Sequence, residues 1–146
     1  MISPNHPIRI HHIAVVVPDT AAALAFWRDG LGLAVGGVHD EPAQGVAVTF
    51  LPVGEGAIEL VEPTDAASGI ARFLGSRGPG MHHVCLEVDD LDAAVAHLKA
   101  RNVRLITEAP ITNSSGRRLI FVHPAAAGGV LVELYDAVGD DASNRP

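Results

Sequence analysis

The chain has 146 residues, of which 48% are hydrophobic and 18% are charged, and its formal net charge is -7. This length and composition are typical of one folded domain that buries a substantial core, so disorder is not expected. The few basic residues do not cluster into a surface that could follow a phosphate backbone. Nucleic acid is therefore excluded as a predicted partner.

Cys85 is the only cysteine. An internal disulfide and a thiolate metal cage are thus excluded, and histidines and carboxylates remain as potential metal ligands. Cys85 itself is expected to be a small core residue. The N-terminus lacks the apolar stretch of a signal peptide, and no segment approaches the roughly 18 apolar residues of a membrane span. The sequence predicts a cytoplasmic protein without a membrane partner, ending in a disordered tail over residues 137–146.

In the first half of the chain, a strand is predicted from Ile10 to Val17 and ends at the turn that follows. Asp19 or Thr20 can cap a helix there, and Gly30 can end it. The apolar spacing predicts that one face of this helix carries Leu24, Trp27 and Leu31.

Further elements follow from Gly and Pro boundaries and from apolar periodicity. Strands are predicted around Val46 to Pro52, Ala57 to Val61, Leu119 to Val122 and Val130 to Tyr135. A short helix is predicted from Ser68 to Leu74. Asp90 is the expected cap of a further helix, whose buried stripe would be Leu91, Val95 and Leu98.

The chain also repeats itself. The segment HHIAVVVPDTAAALAFWRDGLGL from His11 aligns with HHVCLEVDDLDAAVAHLKARNVRL from His82, and the register places His12 on His83. AIELVE around Glu59 aligns with LVELYD around Glu133. The sequence predicts a single α+β domain of two βαβββ half-repeats, about 8–64 and 79–136, which form a curved mixed sheet around a metal-binding groove.

Two predicted strands each contain a glutamate within an apolar run. Glu59 lies between Ile58 and Leu60, and Glu133 lies between Val132 and Leu134. A buried carboxylate without a partner costs several kcal/mol, so each is expected to have one. Since the same two residue types recur at equivalent positions, the repeat predicts one metal site with the ligands His12, Glu59, His83 and Glu133. His11, His82 and His123 are weaker candidates.

Two imidazoles and two carboxylates suit a divalent ion such as Co²⁺, Mn²⁺, Ni²⁺, Zn²⁺ or Fe²⁺. A closed tetrahedral site would be structural. A six-coordinate ion would keep two adjacent positions open for a small dicarbonyl group. The sequence leaves both geometries open.

These features resemble the vicinal oxygen chelate superfamily and, within it, the methylmalonyl-CoA epimerases. The paired βαβββ units and the His, Glu, His, Glu set carry the broader resemblance. The narrower one covers Ile8 to Asp136 and depends on HHIAVVVPD, QGV at 44–46, GAIELVEP at 56–63, SGIARFL at 68–74, GMHHVCLEVDD at 80–90, FVHP at 121–124 and GGVLVEL at 128–134.

The resemblance implies a homodimeric enzyme that interconverts (R)- and (S)-methylmalonyl-CoA through an enolate stabilised by one divalent ion per chain, most simply Co²⁺. Inversion at C2 requires an acid/base group on each face. Glu133 is the expected group for one face. Part of the family has Glu where this chain has Val48, so Glu59 is the candidate for the other. The segment TNSSGR at 112–117 departs from a more usual Gly-rich stretch, and its Ser115 and Arg117 are candidate contacts for the acyl-CoA substrate.

Two alternatives belong to the same superfamily. A glyoxalase I-type lyase or isomerase acting on a glutathione adduct would use the same four ligands, whereas an extradiol dioxygenase would leave Glu59 as an extra carboxylate. A drug-binding module of this fold would lack the ligand set, which is complete in this chain. The epimerase segments favour the epimerase.

Overall fold

The computed structural model describes residues 6–137, so residues 138–146 of the predicted disordered tail lie outside the described part. The described strands are β1 Pro7–Val16, β2 Gly37–Glu41, β3 Val46–Val53, β4 Gly56–Pro63, β5 Gly80–Val88, β6 Ile111–Thr112, β7 Arg118–Val122 and β8 Val132–Asp136. The α-helices in this range are α1 Thr20–Leu24, α2 Gly69–Arg77 and α3 Leu91–Ala100, and a short 3-10 helix spans Pro124–Ala126. Among the described helices, none has the length and apolarity needed to cross a membrane.

The chain divides into two units, and the boundaries fall inside β1 and inside β5. One unit joins the chain up to His11 with the chain from His83 onward, and we call it the discontinuous unit. The other, the continuous unit, is His12–His82.

Both units contain a four-stranded mixed sheet with the same connectivity. In the continuous unit the order is β2-β3-β4-β1, and in the discontinuous unit β5 is followed by β8, β7 and β6. The first strand of each set pairs in parallel with the last, and the remaining pairs are antiparallel. The predicted βαβββ repeat and the α+β class are thereby confirmed, with α2 as an additional helix after β4.

The sheet of the continuous unit has an apolar cluster on each face, and successive strand residues contribute to opposite clusters because they alternate sides. One face packs its core residues Val17, Leu51 and Leu60 against Leu24 and Trp27 of the first helical segment. On the other face lies a second core of Ala14, Val46, Val48 and Val61, with Ile70 of α2 packed against it. Helix α2 begins at the predicted residue, since Ser68 is its N-cap and accepts a hydrogen bond from the Ala71 amide.

The prediction that Leu31 belongs to the buried face of the first helix is wrong. Helix α1 passes into a π-helical turn over Ala25–Gly30, in which the Leu31 amide donates to the Phe26 carbonyl five residues earlier. This wider winding shifts the periodicity on which the prediction was based. Leu24 and Trp27 still reach the core, whereas Leu31 is 56% exposed.

The core of the discontinuous unit lies between its sheet and α3. Leu91 and Val95 of α3 are buried against Val88, Ile120 and Leu134, and Leu98 packs partly buried against the same cluster. The predicted stripe of α3 is confirmed. Cys85 points to the opposite face, where it is fully buried with Leu119 and Tyr135.

Helix capping provides a test of local stability. The Asp90 carboxylate accepts a hydrogen bond of 3.0 Å from the Ala93 amide at the start of α3. Removing an N-cap acceptor typically costs about 1 kcal/mol. We therefore expect Asp90→Ala to lower the free energy of unfolding by about that amount in urea titrations, and the adjacent Asp89→Ala to lower it by much less. Equal losses in the two variants would contradict the capping role.

Candidate metal and proton-transfer site

In the continuous unit, the structure brings together two of the predicted ligands, His12 and Glu59. Strands β1 and β4 pair in parallel with Ala14 opposite Glu59, so His12 lies one pleat away on the same face. Nδ1 of His12 lies 2.6 Å from Oε2 of Glu59, and both side chains are buried.

The geometry of this contact differs from that of an ordinary hydrogen bond. Although it lies so close to Nδ1 of His12, the buried Oε2 of Glu59 accepts no hydrogen bond of acceptable geometry from the described residues. A buried carboxylate oxygen left in this state is costly, and a cation between two such donor atoms would remove the cost. The residues present therefore fit a divalent ion with nitrogen and oxygen ligands.

The discontinuous unit contains the equivalent pair. Strands β5 and β8 pair in parallel with Cys85 opposite Glu133, so His83 lies two residues before the position opposite the glutamate. Nε2 of His83 lies 3.1 Å from Oε1 of Glu133, and both side chains are largely buried. The register matches that of the other pair, because Ala14 and Cys85 each follow the histidine by two residues.

Each unit thus supplies one His–Glu pair at the predicted positions. Binding of a single ion by all four residues stays a prediction, as do the acid/base roles of Glu133 and Glu59.

The three weaker histidine candidates have contacts within the protein. The His11 ring is tilted against Tyr135 with centroids 4.8 Å apart, and His82 makes an edge contact with Phe73 of α2 at 4.9 Å. Nδ1 of His123 accepts a hydrogen bond from the Ala125 amide and caps the 3-10 helix. These contacts give each residue a structural role.

The two predicted substrate contacts differ in their surroundings. Ser115 lies at the exposed tip of the turn between β6 and β7, where its amide donates to the Asn113 side chain. Arg117 extends back to the sheet, with its guanidinium 4.9 Å from the centre of the Tyr135 ring and its Nε donating to the Asp136 carbonyl. Asn113 also donates to the Tyr135 hydroxyl. The turn is therefore tied to β8 on both sides, and contact of Ser115 and Arg117 with substrate stays a prediction.

One buried carboxylate near this site, Glu87, was missed by the sequence reasoning. Glu87 lies on the same face of β5 as His83 and Cys85, and its Oε2 accepts from Arg9 at 2.9 Å and from Arg117 at 2.8 Å. Burial raises the pKa of this carboxyl, but hydrogen bonds and charges from the two guanidiniums outweigh it, so the pKa lies below its usual value. A signal was present, since Glu87 interrupts the apolar run VCLEV as Glu133 interrupts VLVELY.

The comparisons with known proteins agree with this fold. The model of the Glyoxalase/Bleomycin resistance protein/Dioxygenase superfamily matches residues 11–121. The chain belongs to this superfamily, as the paired βαβββ units predicted.

Several relatives of this chain are named as epimerases. The chain is 43% identical to "Methylmalonyl-CoA epimerase, mitochondrial" of Bos taurus, over 88% of this chain and 74% of the relative. It is 41% identical to "Ethylmalonyl-CoA/methylmalonyl-CoA epimerase" of Cereibacter sphaeroides, over 86% and 96%. Among solved structures, a Streptomyces coelicolor methylmalonyl-CoA epimerase variant with 2-nitronate-propionyl-CoA has a TM-score of 0.86 at 30% identity, covering 92% of this chain and 100% of that one.

The Glu87 cluster predicts a pH dependence of stability. Because folding lowers the pKa of Glu87, its ionised form stabilises the protein above the unfolded-state value of about 4.3, and this contribution is lost as the pH falls through the lower folded-state pKa. We expect Glu87→Gln to lower the free energy of unfolding at pH 7 and the difference from wild type to shrink below about pH 4. Glu108→Gln at the exposed surface is the control, and a difference for Glu87→Gln that is constant with pH would contradict the assignment.

Proposed function

We propose that the chain is an epimerase that interconverts (R)- and (S)-methylmalonyl-CoA. The observation that carries the proposal is the duplicated, buried His–Glu pair, which occurs at the same register in both units. Relatives of more than 40% identity over most of the chain are named as epimerases of this substrate.

A structural relative adds chemical support. The S. coelicolor epimerase variant binds 2-nitronate-propionyl-CoA. A nitronate is a planar anion whose charge is delocalised onto oxygen, as it is in the enolate of a thioester. Affinity for such an anion is expected of an enzyme that stabilises the enolate more strongly than the substrate.

In this proposal His12, Glu59, His83 and Glu133 hold one divalent ion. Two imidazoles with two carboxylates suit the borderline ions, and Co²⁺ is the proposed ion, with Mn²⁺, Ni²⁺ or Zn²⁺ as substitutes. When bound, the ion supplies Lewis-acid stabilisation of the negative charge that develops on the thioester oxygen. The two histidines act as ligands only.

Glu133 is the proposed acid/base group for one face of C2. Its carboxylate is buried on β8, where Oε1 lies 3.1 Å from Nε2 of His83. Taking up the C2 proton leaves the electron pair of the C–H bond delocalised toward the thioester carbonyl. Returning a proton to the other face completes the inversion, and Glu59 is the sequence-based candidate for that step.

The turn at 113–117 is proposed to contact the acyl-CoA. Ser115 is exposed at its tip and can donate a hydrogen bond to substrate. The Arg117 side chain is only 9% exposed and is held by Glu87, so its contribution in this proposal is to fix the turn relative to β8. A homodimeric assembly and a cytoplasmic location, which the resemblance and the sequence predict, complete the proposal.

Metal binding should be visible without any substrate. A ligand present at 100 times its Kd stabilises the folded state by about 2.7 kcal/mol, which corresponds to a Tm increase of several degrees. We expect Co²⁺ to raise the Tm of the wild type, and His12→Ala and His83→Ala each to lose most of that increase. His97→Ala on the exposed face of α3 serves as control. An equal Co²⁺-induced increase in Tm in all four proteins would contradict the proposed metal site.

Catalysis is tested by exchange at C2. In deuterated water with Co²⁺, we expect the wild type to replace the C2 proton of methylmalonyl-CoA and to interconvert the two isomers. Glu133→Gln retains an oxygen ligand but cannot accept the proton, so inversion, and exchange of the isomer whose C2 proton faces Glu133, should fall at least about 100-fold. Mass spectrometry and chiral separation measure exchange and inversion. Absence of metal-dependent exchange in the wild type would refute the proposed function.

A further inference from the structure

The continuous unit contains a histidine that the mechanism above does not use. His39 lies on β2 directly opposite Val48 of β3. Val48 is 5% exposed in an apolar cluster and has no group that can move a proton. We propose that His39, supported by Glu41, is the acid/base group for the second face of C2. This inference rests on the proposed epimerase function.

The register of the sheet places His39 on the same face as the metal ligands of this unit. Directly opposed residues of antiparallel strands share a face. His39 therefore lies on the same face as Val48, and Glu59 lies on the same face as Phe50. Because Val48 and Phe50 are two residues apart on β3, all four residues lie on one face of the sheet. Val48 packs in the same apolar cluster as Ala14. Ala14 is two residues after His12 on β1, so His12 also lies on this face. The face therefore carries two imidazoles and two carboxylates: His12, His39, Glu41 and Glu59.

The His39 ring is directed toward the row of the sheet that contains Glu59. Its centroid lies 5.1 Å from that of Phe50, with an angle of 31° between the rings, and Phe50 is the β3 partner of Glu59. Strands β2 and β4 are separated by one strand, or about 10 Å. Phe50 lies between the two side chains on this face, so a small acyl group that meets both the imidazole and an ion held by Glu59 would lie over the Phe50 ring.

Glu41 gives this histidine the partner that an acid/base group needs. It follows His39 on the same face of β2, is 8% exposed, and its Oε1 lies 3.9 Å from Nε2 of His39. This is a long contact rather than a hydrogen bond, and it places a carboxylate beside the imidazole. The His39 side chain is 34% exposed, so its proton can exchange with water between turnovers.

The proton transfers balance in both directions. In one direction Glu133 accepts the C2 proton, the C–H electron pair moves toward the thioester carbonyl, and the His39 imidazolium donates its N–H proton to the opposite face of C2. The products are the inverted thioester, protonated Glu133 and neutral imidazole. In the other direction neutral His39 removes the proton and protonated Glu133 returns one.

Glu59 is the competing candidate for this step. Its Oε2 is directed at Nδ1 of His12 at 2.6 Å, which is the position of a ligand. Glu59 would have to leave this position to carry a proton, as Glu133 must, whereas an imidazole outside the ligand set would not. The experiment therefore compares His39→Gln with Glu59→Gln, which keeps an oxygen ligand.

Each pure isomer is incubated with Co²⁺-loaded enzyme in deuterated water, and exchange and inversion are measured separately. In His39→Gln we expect inversion to fall at least about 100-fold. The isomer whose proton faces Glu133 should still exchange with retained configuration, and the other isomer should not exchange. In Glu59→Gln we expect exchange and inversion to fall together. The Co²⁺-induced increase in Tm should persist in His39→Gln, since His39 is not a ligand.

Three outcomes would overturn the inference. Inversion by His39→Gln within about threefold of wild type would show that His39 is dispensable. Loss of exchange from both isomers in a folded, metal-binding His39→Gln would assign it another role. Exchange without inversion in Glu59→Gln would identify Glu59 as the second group. If the wild type neither exchanges nor inverts, the proposed function itself fails.

Chemical rescue separates catalysis from a structural effect. His39→Ala leaves a partly exposed space on β2, so imidazole added to the solution should restore inversion in a concentration-dependent manner. His97→Ala, which should invert at the wild-type rate, should not respond to imidazole. Failure of imidazole to restore inversion to a folded His39→Ala would count against a proton-transfer role.

Discussion

The parallel pairing of the first and last strand in each unit is the constraint on which the site depends. With Ala14 opposite Glu59 and Cys85 opposite Glu133, each glutamate comes within reach of the histidine one pleat away. A shift of either strand by one residue would turn its side chains to the other face. The apolar contacts of each sheet with its helices fix this register, so packing energy supports two buried carboxylates that would otherwise destabilise the fold.

The discontinuous unit balances its buried charges within its own sheet face. Glu87 accepts hydrogen bonds from two arginines, and the ring of Tyr135 lies under the guanidinium of Arg117. The same tyrosine hydroxyl accepts from Asn113, which closes the turn before β7. Tyr135, two residues after Glu133 on β8, is therefore held by contacts with both Arg117 and Asn113. This favours a well-defined position for the carboxylate of Glu133.

Much of the fold was accessible from the sequence because the repeat, the helix caps and the apolar stripe of α3 are local patterns. The His–Glu pairs were accessible because polar residues recurred within apolar runs. The features that could not be predicted from the sequence depend on irregular backbone winding or on contacts between residues far apart in the chain. The π-helical turn that exposes Leu31 breaks the regular period. The buried partners of Arg117 depend on contacts across the sheet. The position of His39 beside Val48 follows from the pairing of β2, a short strand with little apolar pattern.

The division of β1 between the units affects the order in which the protein can fold during synthesis. The continuous unit is one uninterrupted segment, His12–His82, and can form once that segment has left the ribosome. The other unit needs residues from both sides of it, and its Arg9–Glu87 contact joins positions 78 apart in sequence. Closing so long a loop is entropically slow. The N-terminal part of β1 can therefore make its Arg9–Glu87 contact only after the second half of the chain has been synthesised.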